Sequence, residues 1–221
     1  GNAMEMLNWM NQDGPGMGPL RPPVMRTAGG RRRCDLSAPG ATGLWCKKVI
    51  PGPTLPNPRN RIPYNLADPH FTIAVVSVPR GTDEEGTVFQ ASAAGGHWYS
   101  ELCFFRGLPQ ARWLDSRGGV VWLTSPDRPV PGEPTVITLA YAPGAQRLRV
   151  HRTPIASGTA QLMPTPLENL LIGWGFLGRQ PQPGFGGQVY GVITGQGSPG
   201  AAELEVMERY LLSAAGTAST A

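Results

Sequence analysis

Lysine is almost missing from this chain of 221 residues. Only Lys47 and Lys48 stand among its 19 basic side chains, so its positive charge is nearly all guanidinium, a group suited to bidentate and stacking contacts. Long apolar runs are missing too. The longest, 71–76 (FTIAVV) and 170–178 (LLIGWGFLG), fall well short of the roughly 20 residues that span a bilayer, so no membrane partner is expected. Gly1, Asn2 and Ala3 ahead of Met4 read as the remnant of a cleaved tag, and the stretch after them, MEMLNWMNQDGPGMGPL, has neither a basic n-region nor an apolar h-region. Without that pattern no secretory signal is read. The protein is expected to be made in the cytoplasm and to reach a virion or the outside of a cell only by a route that needs no signal.

Cysteine is scarce and unpaired in pattern: Cys34, Cys46 and Cys103 form an odd set without a CxxC or a histidine pair at metal-ligand spacing, which excludes the usual zinc sites. Three reduced thiols are expected, with a Cys34–Cys46 bridge as the alternative. Sustained helical periodicity is found once, near the C-terminus. What the chain has in abundance is punctuation, 30 Gly and 24 Pro, around a 40% apolar content gathered into short runs. That content is enough for one loop-rich β-domain.

Charge and proline divide the chain. Residues 1–66 hold ten prolines and nine basic residues against three acidic ones, a net of +6, while 67–221 carry ten basic and twelve acidic residues, a net of −2. The first span shows neither a 3.6 nor a 2.0 period and reads as a long irregular N-terminal arm. Residues 67–216 read as one domain and 217–221 as a disordered tail. Arg31, Arg32, Arg33, Lys47, Lys48, Arg59 and Arg61 make the arm basic, but no aromatic interleaving accompanies them, so nucleic acid is not the expected partner. The arm is expected to lie over its own domain or a neighbouring subunit, giving a homo-oligomer or particle assembly, and deletion to about Leu66 to leave a folded domain.

From Leu66 onward, short β-branched and aromatic runs alternate with Gly and Pro. Strands are expected near 71–78, 87–92, 98–105, 120–123, 135–141, 147–152, 170–174 and 188–194. Eight strands predict an all-β, two-sheet antiparallel sandwich. The single short helix is framed by Ser198 as N-cap, Pro199 at its first position and Gly216 at its end. Leu204, Met207, Leu211 and Leu212 form its expected buried stripe, with Glu203, Glu205, Glu208 and Arg209 on the wet side.

In order, PTVITLAYAPGAQRLRVHRTPIASG, PLENLLIGWG and GFGGQVYGVITGQGSPGAAELEVMERYLLSAAG resemble the closing half of the concanavalin A-like, laminin-G-type jelly-roll domains. Phe185, Gly187 and Val189 match an F-x-G-x-V strand, and Ser198, Glu203, Tyr210 and Leu211 match the terminal helix. Residues 149–152 replace the V-N-G tip usual in such domains. The similarity spans about 68–215 and is most specific in its last 35 residues. It implies a jelly roll whose last strand returns beside the first, with the terminal helix covering part of the sandwich and Gly186, Gly187 and Gly191 permitting close packing.

Catalytic patterns are sparse. The E-x-D-x-x-E strand that glycosidases of this fold resemble one another in, placing two carboxylates on one face, is not found, and neither are serine-nucleophile, P-loop or Rossmann motifs. Sugar binding asks only for an aromatic face and a few fixed polar groups. The candidate ligand-binding residues are His97, Tyr99, Glu101, Arg112, Trp113 and Asp115, with Tyr99 and Trp113 the favoured platforms and Trp98, Trp122, Trp174 and Arg179 further candidates. Asp83, Glu84 and Glu85, in PRGTDEEGT, are the candidate metal ligands, for Ca²⁺, although a calcium site takes six to eight oxygens. No other cofactor is expected. The expected function is non-catalytic recognition or adhesion on a larger assembly, with a glycan or protein ligand. The alternatives are a structural subunit of a phage-like particle and a polysaccharide lyase or glycosidase acting on an acidic glycan.

Overall fold

The structure, a computed structural model, describes residues 24–28, 31–36, 44–47, 65–79, 84–93, 99–165, 167, 169–177, 180–181 and 184–216. At 24, 25, 27, 28, 31, 32, 44–47, 177, 180 and 181 it describes the backbone alone. His97, Trp98, Asp83, Arg179 and the tail 217–221 lie outside the described residues.

Alternating apolar runs become strands where the sequence predicts them: β4 (His70–Ser77), β5 (Gly86–Ser92), β6 (Tyr99–Phe105), β8 (Val120–Thr124), β9 (Thr135–Ala142), β10 (Ala145–Val150), β12 (Asn169–Ile172) and β15 (Gln188–Gln196). Two further strands escape the sequence reading. They are β7 (Leu108–Leu114) and β11 (Thr153–Gly158), beside a two-residue-stranded hairpin, β13 (Phe176–Leu177) and β14 (Gln180–Pro181). Short strands also occur within the span read as an arm: β1 (Val24–Ala28), β2 (Arg31–Asp35) and β3 (Leu44–Lys47).

Among the described residues these strands make a seven-stranded sheet, ordered β1-β2-β15-β4-β9-β10-β11, facing a six-stranded sheet, β3-β12-β5-β6-β7-β8. All the paired strands run antiparallel. The last strand does return beside β4, from Gln188↔Ser77 to Gln196↔His70. Between the sheets lies the main core, with Val76, Ile137, Leu139 and Leu148 from one side and Phe89, Leu102, Phe104, Trp113 and Leu123 from the other. Gly187 permits the return of β15, because a β-carbon there would sit 2.3 Å from the Ser77 carbonyl oxygen.

Part of the proline-rich front segment therefore belongs to the sandwich. Cys34 and Leu36 are buried in the main core, and the Leu36 amide donates to Gly187 O at 3.0 Å. Deletion to Leu66 removes β2, β3 and these two side chains. That chain is expected to melt at a lower temperature than one starting at residue 24, as buried leucine and edge pairing are lost. Coincident melting curves would show both strands to be dispensable.

The helix, α1 (Ala201–Ala215), starts three residues after Ser198. Gly200, not Ser198, is its N-cap, and Glu203 at the third helical position reaches back to accept the Gly200 amide at 2.7 Å, the carboxylate half of a capping box. Gly216, at φ +88°, ends it as predicted. Leu204, Leu211 and Ala215 pack on Phe71, Ile73, Val75 and Val136 of the seven-stranded sheet. Glu208 corrects the sequence reading: it is fully buried, not wet, and pairs with Arg149 of β10. Glu203 and Arg209 are exposed as expected.

Candidate functional site

With one face of the seven-stranded sheet under α1, attention falls on the outer face of the six-stranded sheet. Side chains alternate across a strand. Leu102 and Phe104 point into the core, so Tyr99, Glu101, Cys103 and Phe105 of β6 point outward. On β7, Ala111 and Trp113 face the core, and Gln110 and Arg112 face out. Register then lines up Gln90, Glu101, Arg112 and Trp122 across β5 to β8.

Half of that outer face is roofed. Leu171, Trp174 and Phe176 form a small apolar cluster over it. The Gln90 side-chain amide donates to Phe176 O at 2.8 Å and accepts from Phe176 N at 2.9 Å. Beside this roof Glu101 is 2% exposed and takes a hydrogen bond from the Thr87 hydroxyl. Burial drives its carboxyl up to about 7, against the opposing pull of that bond and of Arg112. Tyr99 is fully buried, and among the described residues its hydroxyl meets no hydrogen-bond partner. Burial also pushes up the Tyr99 phenol and the Cys103 thiol, with the Glu101 charge adding to both.

Because the folded chain raises the Glu101 value above its ordinary one near 4.5, the stability that this carboxyl contributes is fully present below about pH 4.5 and lost as pH rises to about 7. The stability of the wild type relative to Glu101→Gln is therefore expected to fall by about 2 kcal/mol between pH 5 and pH 7 and to level off above that. Urea melts of both proteins across this range check it. Parallel curves would place the carboxyl in a better-solvated site.

The other half of the face is open. Phe105 is 39% and Trp122 59% exposed. Arg112 lies between them, its Nε donating to Gln110 Oε1 at 2.9 Å and its guanidinium 5.5 Å from the Phe105 ring centroid. Gln110 in turn donates to the Thr124 hydroxyl at 2.8 Å. Among the described residues no partner meets the two terminal nitrogens of Arg112. A half-exposed guanidinium fixed at Nε and beside a ring can take a carboxylate through its terminal nitrogens.

The predicted site residues thus separate. Glu101 and Arg112 share the outer face, with Tyr99 buried in it. Trp113 is fully buried on the opposite face, in the core. Asp115, just past β7, braces a turn: it accepts from Arg117 N and Nε and from Gln161 N at 2.9–3.0 Å, which holds its carboxyl below the usual range. Glu84 accepts the Gly186 amide at 2.6 Å and is buried, whereas Glu85 is exposed. Among the described residues no three His, Cys, Asp or Glu side chains are grouped to hold a metal ion. Trp122, a further candidate in the sequence, and Phe105, not named there, are the exposed aromatic side chains of this face. Their signal is their position opposite Arg112 or beside it.

No protein-family model and no curated protein matches the sequence. Solved structures do match in shape. The botulinum neurotoxin serotype G binding domain has a TM-score of 0.60 at 8% identity, over 85% of this chain and 44% of that one. The Ruminococcus gnavus IT-sialidase CBM40 bound to α2,3 sialyllactose has 0.53 at 11%, over 64% and 83%. Domains LG4-5 of the mouse laminin α1 chain have 0.50 at 11%, over 63% and 38%. The fold is a concanavalin A-like jelly roll. The jelly roll spans less than half the length of the laminin and neurotoxin chains it matches, and at such identities the likeness establishes fold alone.

Proposed function

We propose that this jelly roll is a non-catalytic recognition module, and that its ligand is a glycan carrying a carboxylate, held between Phe105, Arg112 and Trp122. The observation that carries the reading is the Arg112 fork, steered by Gln110 and Phe105 and set opposite an exposed indole. The guanidinium supplies charge-assisted hydrogen bonds, and the indole a face for a sugar ring. Support of a coarser kind comes from the neighbours of this fold, one bound to sialyllactose and another, the botulinum neurotoxin serotype D ligand binding domain, in complex with N-acetylneuraminic acid.

Calorimetry with sialyllactose and a polyuronate, with lactose as the uncharged control, tests it. The acidic probes are expected to bind with an affinity that depends on Arg112, and lactose to show no Arg112-dependent binding. Trp122→Ala is expected to cost about 1–3 kcal/mol of binding, and Arg112→Lys about tenfold or more in affinity, since a point charge cannot replace the fork. Equal binding of lactose would remove the carboxylate from the reading. Unsaturated products from the polyuronate, seen by absorbance, would make the protein a lyase.

A further inference from the structure

A cleft of about 250 Å³ opens between the segment after β8 and the β10–β11 hairpin. Its lining divides in two. Pro129, Val150 and Ile155 are apolar, and Ser125, Asp127, Arg128, His151 and Thr153 are polar. The hairpin that forms one lip is unusual. Val150 pairs with Thr153, so His151 and Arg152 alone make the turn, at φ +50° and +71°. A two-residue turn with both residues left-handed is the type that Asn-Gly satisfies and that histidine and arginine do not favour.

The surrounding structure enforces this shape. Arg149, buried beneath, donates from Nη2 to Arg152 O at 2.6 Å, and the His151 amide donates to Val136 O at 3.0 Å. The neighbouring β-bulge, where Leu148 pairs with Ala156 and Arg149 with Pro154, leaves Ile155 without a partner residue. Ile155 is one of the cleft residues, and bulges commonly re-aim a side chain in this way. Strained backbone and a bulge that converge on one cleft mark a site whose side chains are worth their unfavourable placement.

We infer that this cleft binds one neutral pyranose ring, a second sugar site distinct in place and charge from the Arg112 face. The volume suits a single ring rather than a peptide segment. Pro129, Val150 and Ile155 offer the apolar wall that the C–H face of a sugar packs on. Asp127 is an acceptor, Arg128 is a donor, Thr153 can be either, and His151 adds two ring nitrogens at the lip. That mixture matches adjacent sugar hydroxyls, each a donor and an acceptor. Asp127 and Arg128 carry opposite charges, so the lining favours neither sign, which suits an uncharged ring.

The test is a ¹⁵N NMR titration of the full chain with the methyl α-pyranosides of glucose, galactose and mannose. None of these carries the carboxylate on which the Arg112 reading depends, so the two readings fail separately. Saturable shifts are expected for at least one glycoside, confined to 125–129 and 150–155. Asp127→Asn is expected to weaken binding about tenfold with an otherwise unchanged spectrum. The double variant His151→Asn, Arg152→Gly is expected to melt at a higher temperature, as the turn relaxes, and yet to lose the shifts. The inference is overturned if all three glycosides leave these amides unmoved, if the shifts fall only around Arg112, or if either variant binds as the wild type does.

Discussion

Glu208→Ala is expected to lower the free energy of unfolding by about 3–5 kcal/mol, because it strands a buried charge. Arg149 is held at both ends of its fork. Its Nε and Nη2 reach Glu208 Oε1 and Oε2 at 3.0 and 3.1 Å, and the Thr138 hydroxyl adds a bond to Oε1 at 2.7 Å. Both side chains are almost wholly shielded, at 6% and 0% exposure. Alanine at 208 leaves the guanidinium under α1 with only the Arg152 carbonyl to answer it. The double change Arg149→Met, Glu208→Leu is expected to recover most of the loss, since an apolar pair of similar volume has no charge to desolvate. Urea denaturation of the two variants measures both effects. A loss below about 1 kcal/mol in the single variant would mean that water reaches the pair.

The same pair shows why the sequence is only partly legible. Leu204, Leu211 and Ala215 mark the buried stripe of α1, and Glu208 sits on that stripe at helical spacing. A glutamate reads as wet unless its partner is known, and here the partner lies 59 residues earlier on a strand. Closing strand β15 and the helix were readable because glycine approach, apolar alternation and capping signals all agree locally. Strand β7 was not, because LPQARWL carries a proline at its second position and sets arginine and glutamine between its apolar residues. That polar alternation is the outer face itself. Strands β2 and β3 were hidden in a segment whose composition suits an arm, and their place is fixed by edge pairing with β15 and β12, a non-local cause.

The choice between Trp113 and Trp122 turns on the same point, and their alanine variants are expected to behave in opposite ways. Trp113 follows Arg112, whereas Trp122 stands between Val121 and Leu123, so local context favours Trp113 as the platform. Register separates them: Arg112 faces Trp122 across β7 and β8, which turns Trp113 to the core. Trp113→Ala is expected to cost about 3–5 kcal/mol of stability, because it empties the volume of the largest fully buried side chain between the sheets. Among the described residues its indole nitrogen meets no hydrogen-bond partner, so the loss is mainly one of packing and cavity, and Trp113→Phe is expected to return a large part of it. Trp122→Ala, at a 59% exposed position, is expected to leave stability within about 0.5 kcal/mol while it weakens acidic-glycan binding. Denaturant melts and sialyllactose calorimetry on these variants resolve the matter. Intact binding in Trp122→Ala, with stability unchanged in Trp113→Ala, would reverse the two faces and overturn the site described for the open half of the sheet.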